Sequence, residues 1–131
     1  MTLYLDTSAL VKLLVSEAES EQLRGYLADR RALRRVASGL VRTELRRAAS
    51  RISADLLGSA ERLLSSLALV RVDDALLDIA GTLGPPAMRT LDAVHLASAL
   101  RVAPLTALVS YDLRIQGAAA TLGIPVAAPG S

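Results

Sequence analysis

The chain contains no cysteine, no phenylalanine and no tryptophan, and its 131 residues include three tyrosines and one histidine. The missing thiols exclude disulfides, thiolate nucleophiles and Cys-ligated zinc, and they make a reducing cytoplasm the expected compartment. His95 stands alone, so the paired imidazole acid and base of a metal-free ribonuclease is excluded as well. Scarce aromatic rings leave few platforms for stacking unpaired bases. Long apolar runs are also absent. No uncut stretch approaches the ~18 residues of a membrane span, and Asp6 interrupts the N-terminus before a signal-peptide core can form. The expectation is a soluble, unexported protein with no membrane association.

What is present is apolar and arginine-rich. Hydrophobic residues make up 52% of the chain and mean hydropathy is +0.40, more than one core of this size usually needs, so a surface covered by a second copy or another partner is expected. The length suits one domain spanning residues 1–131. Of the 15 basic residues only Lys12 is lysine, and Arg30, Arg31, Arg34, Arg35, Arg42, Arg46, Arg47 and Arg51 crowd one third of the sequence. The planar guanidinium fork suits phosphate, although arginine also simply solvates helix faces. Net charge is +2. With four acids set aside as a cation-neutralised pocket, the remaining surface carries about +6.

Short apolar strands alternate with amphipathic segments. Leu3 to Asp6 reads as a buried strand, with Ser8 placed to cap the helix after it. Leu23, Tyr26 and Leu27 have helical spacing within residues 19–29. A strand at residues 34–38 leads into a helix carrying Glu44 and Arg47, and Ser53 to Leu67 is strongly amphipathic. The apolar faces of the 19–29 and 53–67 helices are expected to form a groove or dimer face. Residues 69–72 form a strand, and Asp73 or Asp74 caps a helix reaching about Leu83, before the break at Gly84-Pro85-Pro86. Thr90 is placed to cap a nearly all-apolar helix, followed by a strand at 107–110, a helix at 112–122 and a last edge strand at 125–127. The pattern predicts an α/β fold, a central parallel sheet of four to five strands flanked by helices.

In such a sheet, strand ends and the helix starts that follow them share one edge. Asp6 and Asp112 end strands, while Asp92 and Glu44 lie in first helical turns. Gathered carboxylates repel and raise each other's pKa unless a cation joins them, and oxygen-only ligands suit Mg²⁺. Each acid also has a simpler reading as a helix cap, the reading expected for Asp73 and Asp74.

The surroundings of these acids resemble those of a known family. LDTSALVKLL around Asp6, VASGLVRTELRRA around Glu44, RTLDAVHLASAL around Asp92 and LVSYDLRIQGAAATLGIPV around Asp112 resemble, in order and spacing, the four motifs of PIN-domain nucleases, and among them the VapC-type toxins of bacterial toxin–antitoxin pairs. Residues 113–117 hold no further acid where some relatives carry one, and the stretch from Arg51 to Met88 matches only in helical character. The resemblance implies a Mg²⁺-dependent endoribonuclease, Mn²⁺ being the alternative ion. Asp6, Asp92 and Asp112 would be metal ligands, directly or through water, with Glu44 completing the shell. It also implies self-pairing to a homodimer and a cognate antitoxin whose arginine competes with the metal.

Further candidates surround the acids. Ser8 and Ser110 match small hydroxyl positions of the family and are placed to orient Asp6 and Asp112, or to cap helices. Arg42, Arg46, Arg89 and Arg114 flank the acids and are the expected phosphate contacts. His95, one turn after Asp92, either faces the site or is a hydrogen-bonded core residue. Two other acid-pocket classes fail at single positions: an aspartyl phosphatase wants an acid where Ser8 stands, and a metal-adhesion module wants a hydroxyl where Leu10 stands. A catalytically silent α/β module, receiving a basic peptide in an acidic groove, remains the alternative.

Overall fold

A computed structural model describes residues 1–131. Five parallel strands, β1 (Thr2–Leu5), β2 (Arg34–Ser38), β3 (Ala68–Val70), β4 (Ala107–Val109) and β5 (Val126–Ala127), form one sheet in the order β3-β2-β1-β4-β5. The α/β class and strand number are as expected. Seven helices connect and cover the strands: α1 (Thr7–Leu14), α2 (Ser20–Ala28), α3 (Val41–Ile52), α4 (Leu57–Ser65), α5 (Asp74–Ala80), α6 (Thr90–Arg101) and α7 (Leu113–Thr121).

The central strand explains the layering. Side chains alternate across a strand, so Leu3 and Leu5 face one layer and Tyr4 the other, all three fully buried. Leu3 and Leu5 pack with Leu10, Leu23, Val41 and Leu45 of the first helices, whereas Tyr4 packs with Leu76, Val94, Leu96 and Ile115 of the later ones. The chain first adds β2 and β3 on one side of β1, then returns to place β4 and β5 on the other. The order reverses between β1 and β4, and a crevice opens there beyond the strands' carboxyl ends.

Several local expectations are corrected. Ser8 does not cap α1; Asp6 does, its side chain accepting from the Ala9 amide, because the residue ending the strand is the one with extended backbone. Thr90 is the first residue of α6, behind Arg89, which caps through no side-chain bond. The helix expected at 53–67 is broken: extended Ser53 ends α3, its hydroxyl accepts from the Asp55 amide, and a 3₁₀ turn at Ala54–Leu56 precedes α4. The apolar faces of α2 and α4 are taken up only in part by the chain's own core: Leu23, Leu27, Ala60 and Leu64 are buried, Tyr26, Leu63 and Leu67 half-buried, and Leu57 exposed. Exposed apolar side chains also lie at Ile52, Leu77, Ile79, Leu91 and Leu113. No helix is long and apolar enough to cross a membrane.

Candidate active site

The crevice is built by two strand-to-helix corners bolted together by serines. Asp6, 1% exposed, accepts through Oδ1 from the Ser8 hydroxyl (2.6 Å) and the Ala9 amide (3.0 Å), and through Oδ2 from the Ser110 hydroxyl (2.5 Å). Each serine oxygen in turn accepts a backbone amide: Ser8 accepts from Tyr111 of the other corner (2.9 Å), and Ser110, which already reaches across to Asp6, accepts from Asp112 of its own corner (3.1 Å). The two hydroxyls thereby fix the β1–α1 corner against the β4–α7 corner, a role that their sequence positions beside Asp6 and Asp112 allowed. Asp112 caps α7, its Oδ1 accepting from Arg114 (2.9 Å) and Ile115 (3.4 Å) amides.

Asp92 enters from the first turn of α6. Partial burial, and then the charge of Asp112, push its carboxyl above the ordinary range. Burial does the same to Asp6, against the lowering effect of its serine and amide donors. Burial is the first cause for both, and only Asp92 is raised also by the charge of a neighbouring acid, against the charges of Arg89 and Arg114.

Glu44 behaves oppositely. Burial raises its carboxyl, but donors on Oε1 outweigh that and hold it below the usual range. They are Thr7 Oγ1 at 2.6 Å and His95 Nε2 at 2.7 Å. His95 is 2% exposed, and its Nδ1 lies 2.7 Å from the Tyr4 hydroxyl, the two rings edge to face. An ionised carboxylate only accepts, so Nε2 carries the proton; Tyr4, whose hydroxyl is pushed well upward by burial and by the charge of Asp6, donates to Nδ1. His95 is therefore both of the things expected of it, a hydrogen-bonded core residue and a group that touches an acid of the crevice. Tyr4 and Thr7 were not singled out from sequence. The available signal was a lone polar ring on each of two apolar elements, which in a core must satisfy one another.

The expected arginines divide. Arg89 and Arg114 line a pocket that includes Asp92. Arg42 lies in a separate hollow with Gly39 and Arg71, and Arg46 turns away to a two-pronged bond with Glu61 at 2.9 and 2.8 Å. Their neighbours Arg47 and Arg51, one helical turn apart on α3, share the cleft that holds Thr7, Ser8 and Glu44. Helical phase decides this, and both were present in the sequence's arginine cluster.

Whether a metal fits depends on the donors. No three of the acids and His95 come close enough together to grip one ion directly. The Asp92 carboxyl, however, accepts no hydrogen bond from the chain, and the donors on Asp112 occupy only Oδ1. A hard cation that keeps most of its waters and leans on one or two carboxylates suits this oxygen-only, charge-surplus set.

Strand order, crevice and acids together define a doubly wound α/β protein with an acidic pocket at its switch point. The PIN domain profile matches residues 3–120, and the chain belongs to the PIN domain family. It is 48% identical over 128 residues to Ribonuclease VapC46 of Mycobacterium tuberculosis (strain H37Rv), covering 97% of each chain. It is also 44% identical over 131 residues to Ribonuclease VapC35 of the same species (strain CDC 1551), covering 98% of this chain and 97% of the relative. The crystal structure of Mycobacterium tuberculosis VapC20, a toxin that cleaves the sarcin–ricin loop, superposes with a TM-score of 0.72 at 18% identity, over 89% of this chain and 95% of that one. At that identity it speaks for the fold alone.

Proposed function

We propose that residues 1–131 act as a single unit, a divalent-metal-dependent endoribonuclease that serves as the toxin of a toxin–antitoxin pair. The observation that carries the reading is the gathering of Asp6, Asp92 and Asp112 at helix starts along the switch-point edge of a chain 48% identical to a ribonuclease. Asp92 and Asp112 would hold the ion, with Asp6 behind them through water, and Mg²⁺ is the expected ion with Mn²⁺ as substitute. When bound, the ion would supply a Lewis acid that acidifies a water and offsets charge gathering on the scissile phosphate. Glu44, ionised and pinned by Thr7 and His95, accepts a hydrogen from the attacking water and orients it for in-line displacement at phosphorus. Ser8 and Ser110 keep Asp6 in position. Arg47 and Arg51 on one side, and Arg89 and Arg114 on the other, bind backbone phosphates, whereas Arg42 and Arg46 are peripheral.

The partners that go with this reading are RNA, a cognate antitoxin and a second copy of the chain, in the cytoplasm. One observation favours a second reading: because no three ligands close on one point, a catalytically silent module could receive a basic peptide in the same crevice. Cleavage of a pool of structured RNAs by the purified protein with Mg²⁺, Mn²⁺ or EDTA, beside Asp92→Asn, separates the two. Cutting that needs both metal and Asp92 supports the nuclease; a folded, metal-supplied protein that cuts nothing leaves the silent module.

A further inference from the structure

Beside Asp92, between the segment before α6 and the outer face of α7, lies a pocket of about 410 Å³, within the ~300–1,000 Å³ usual for small-molecule sites. It is lined by Met88, Leu113, Arg89, Arg114 and Gly117 among others. Leu113 is 78% exposed, the most solvent-exposed large apolar side chain in the protein. At Gly117 an added Cβ would meet nothing within 4 Å, so this turn of α7 leaves open space where other residues would fill it. Neither arginine is ion-paired within the chain.

We infer that this pocket receives one unpaired nucleobase of the RNA, the base adjoining the phosphate held at the acids. The inference rests on the nuclease reading and adds to it a determinant of sequence preference. A base has two apolar faces and adjoins a phosphate on each side. It is matched by apolar walls between two guanidinium groups, whose planes stack on bases and whose edges bind phosphate. In a chain without Phe or Trp, aliphatic and guanidinium surfaces take the part that aromatic rings play elsewhere. An apolar side chain of a protein partner would fit the walls but bring no anion to the unpaired arginines. The open space at Gly117 makes selectivity steric, because a side chain there would compete with the base for room.

Gly117→Met fills the pocket from an exposed helical position and replaces glycine with a better helix former, so the fold is retained. Wild type and variant are compared on RNA dodecamers randomised around the cut, and on the preferred sequence with an abasic site at the adjoining nucleotide. Wild type is expected to prefer particular bases at that nucleotide and to lose about tenfold in kcat/KM on the abasic RNA, the scale of one base contact. Gly117→Met should lose about as much on intact RNA and nothing further on abasic RNA, since both changes remove one contact. Leu113→Ala should flatten the preference in the same direction. Additive losses, or an unchanged base profile in both variants, would overturn the inference. So would an altered oligomeric mass in Gly117→Met with the profile intact, which would make the pocket a face between copies. Anisotropy binding of the same RNAs in EDTA separates this from the nuclease reading. Non-additive losses there sustain the pocket even in a protein that cuts nothing, and additive ones sink it even in one that cuts.

Discussion

Asp6 and Asp92 are carboxyls that the fold pushes up, chiefly by burial, while Glu44 is one that its donors pull down. The sign matters for stability. A carboxyl with a raised folded pKa binds its proton more tightly in the folded state, so stability declines as pH rises through the folded value and is unaffected below the unfolded value of about 3.9. Asp92→Asn is therefore expected to abolish cleavage while melting at an equal or higher temperature at pH 7, an advantage that fades towards pH 3. Melting curves at the two pH values check it, and a variant that unfolds at pH 7 would show Asp92 to be a structural acid. Glu44 tests the opposite sign. In His95→Leu the carboxyl loses its strongest donor and burial predominates, so the acid limb of the rate–pH profile should move upward and cleavage fall about tenfold or more, part of the ~10²–10⁴-fold that a positioned acid–base group supplies. His95→Gln, which restores an N–H donor to Oε1, should recover most of the rate. Equal rates in His95→Leu and wild type would reduce the Tyr4–His95–Glu44 chain to core packing.

Among the elements, α5 offers the cleanest charge test. Asp73 caps it, accepting from the Leu76 amide, and also pairs with both nitrogens of Arg101 at 3.0 and 2.9 Å. Those bonds, the arginine's first, hold its carboxyl down at about 2. A depressed carboxyl contributes stability above its unfolded value and loses it as pH falls through the folded one. Asp73→Asn should therefore melt below wild type at pH 7 and level with it near pH 2, read by circular dichroism; a gap that persists in acid would mean the amide spoils the cap itself. This cap was legible in the sequence, as were the five strands, because both depend on short-range pattern: an acid before a helical repeat, a brief apolar run between polar breaks. The motifs around Asp6, Glu44, Asp92 and Asp112 were legible for the same reason. The contacts that give the crevice its chemistry were not. Tyr4 meets His95 across 91 positions, and Ser110 meets Asp6 across 104. No local periodicity encodes such pairs. The phase of α3, which turns Arg46 to Glu61 and Arg47 to the cleft, and the break of the helix at Ser53 likewise follow from tertiary packing that overrides the helical pattern.

At the scale of the whole molecule, the apolar surplus seen in composition is only partly absorbed by the two cores on either side of the sheet. Leu77 and Ile79 of α5 are 45% and 48% exposed, and Ile52 and Leu57, flanking the 3₁₀ turn, 52% and 41%. Exposed apolar side chains are where a second copy gains most by packing, and Leu77 and Ile79, two positions apart, lie on the two flanks of α5. The surfaces first expected to do this, the apolar faces of α2 and α4, are largely though not wholly taken up inside, which adds the flanks of α5 as an expected interface. The purified protein should run as a homodimer in multi-angle light scattering at micromolar concentration, and Leu77→Glu with Ile79→Glu should halve the mass. Both side chains are about half-exposed, and a melting curve of the charged pair distinguishes lost pairing from lost folding. A wild-type monomer at that concentration would remove the dimer. A dimer that survives both substitutions would keep self-pairing but shift it from α5 to the Ile52–Leu57 edge, where the same substitution strategy applies.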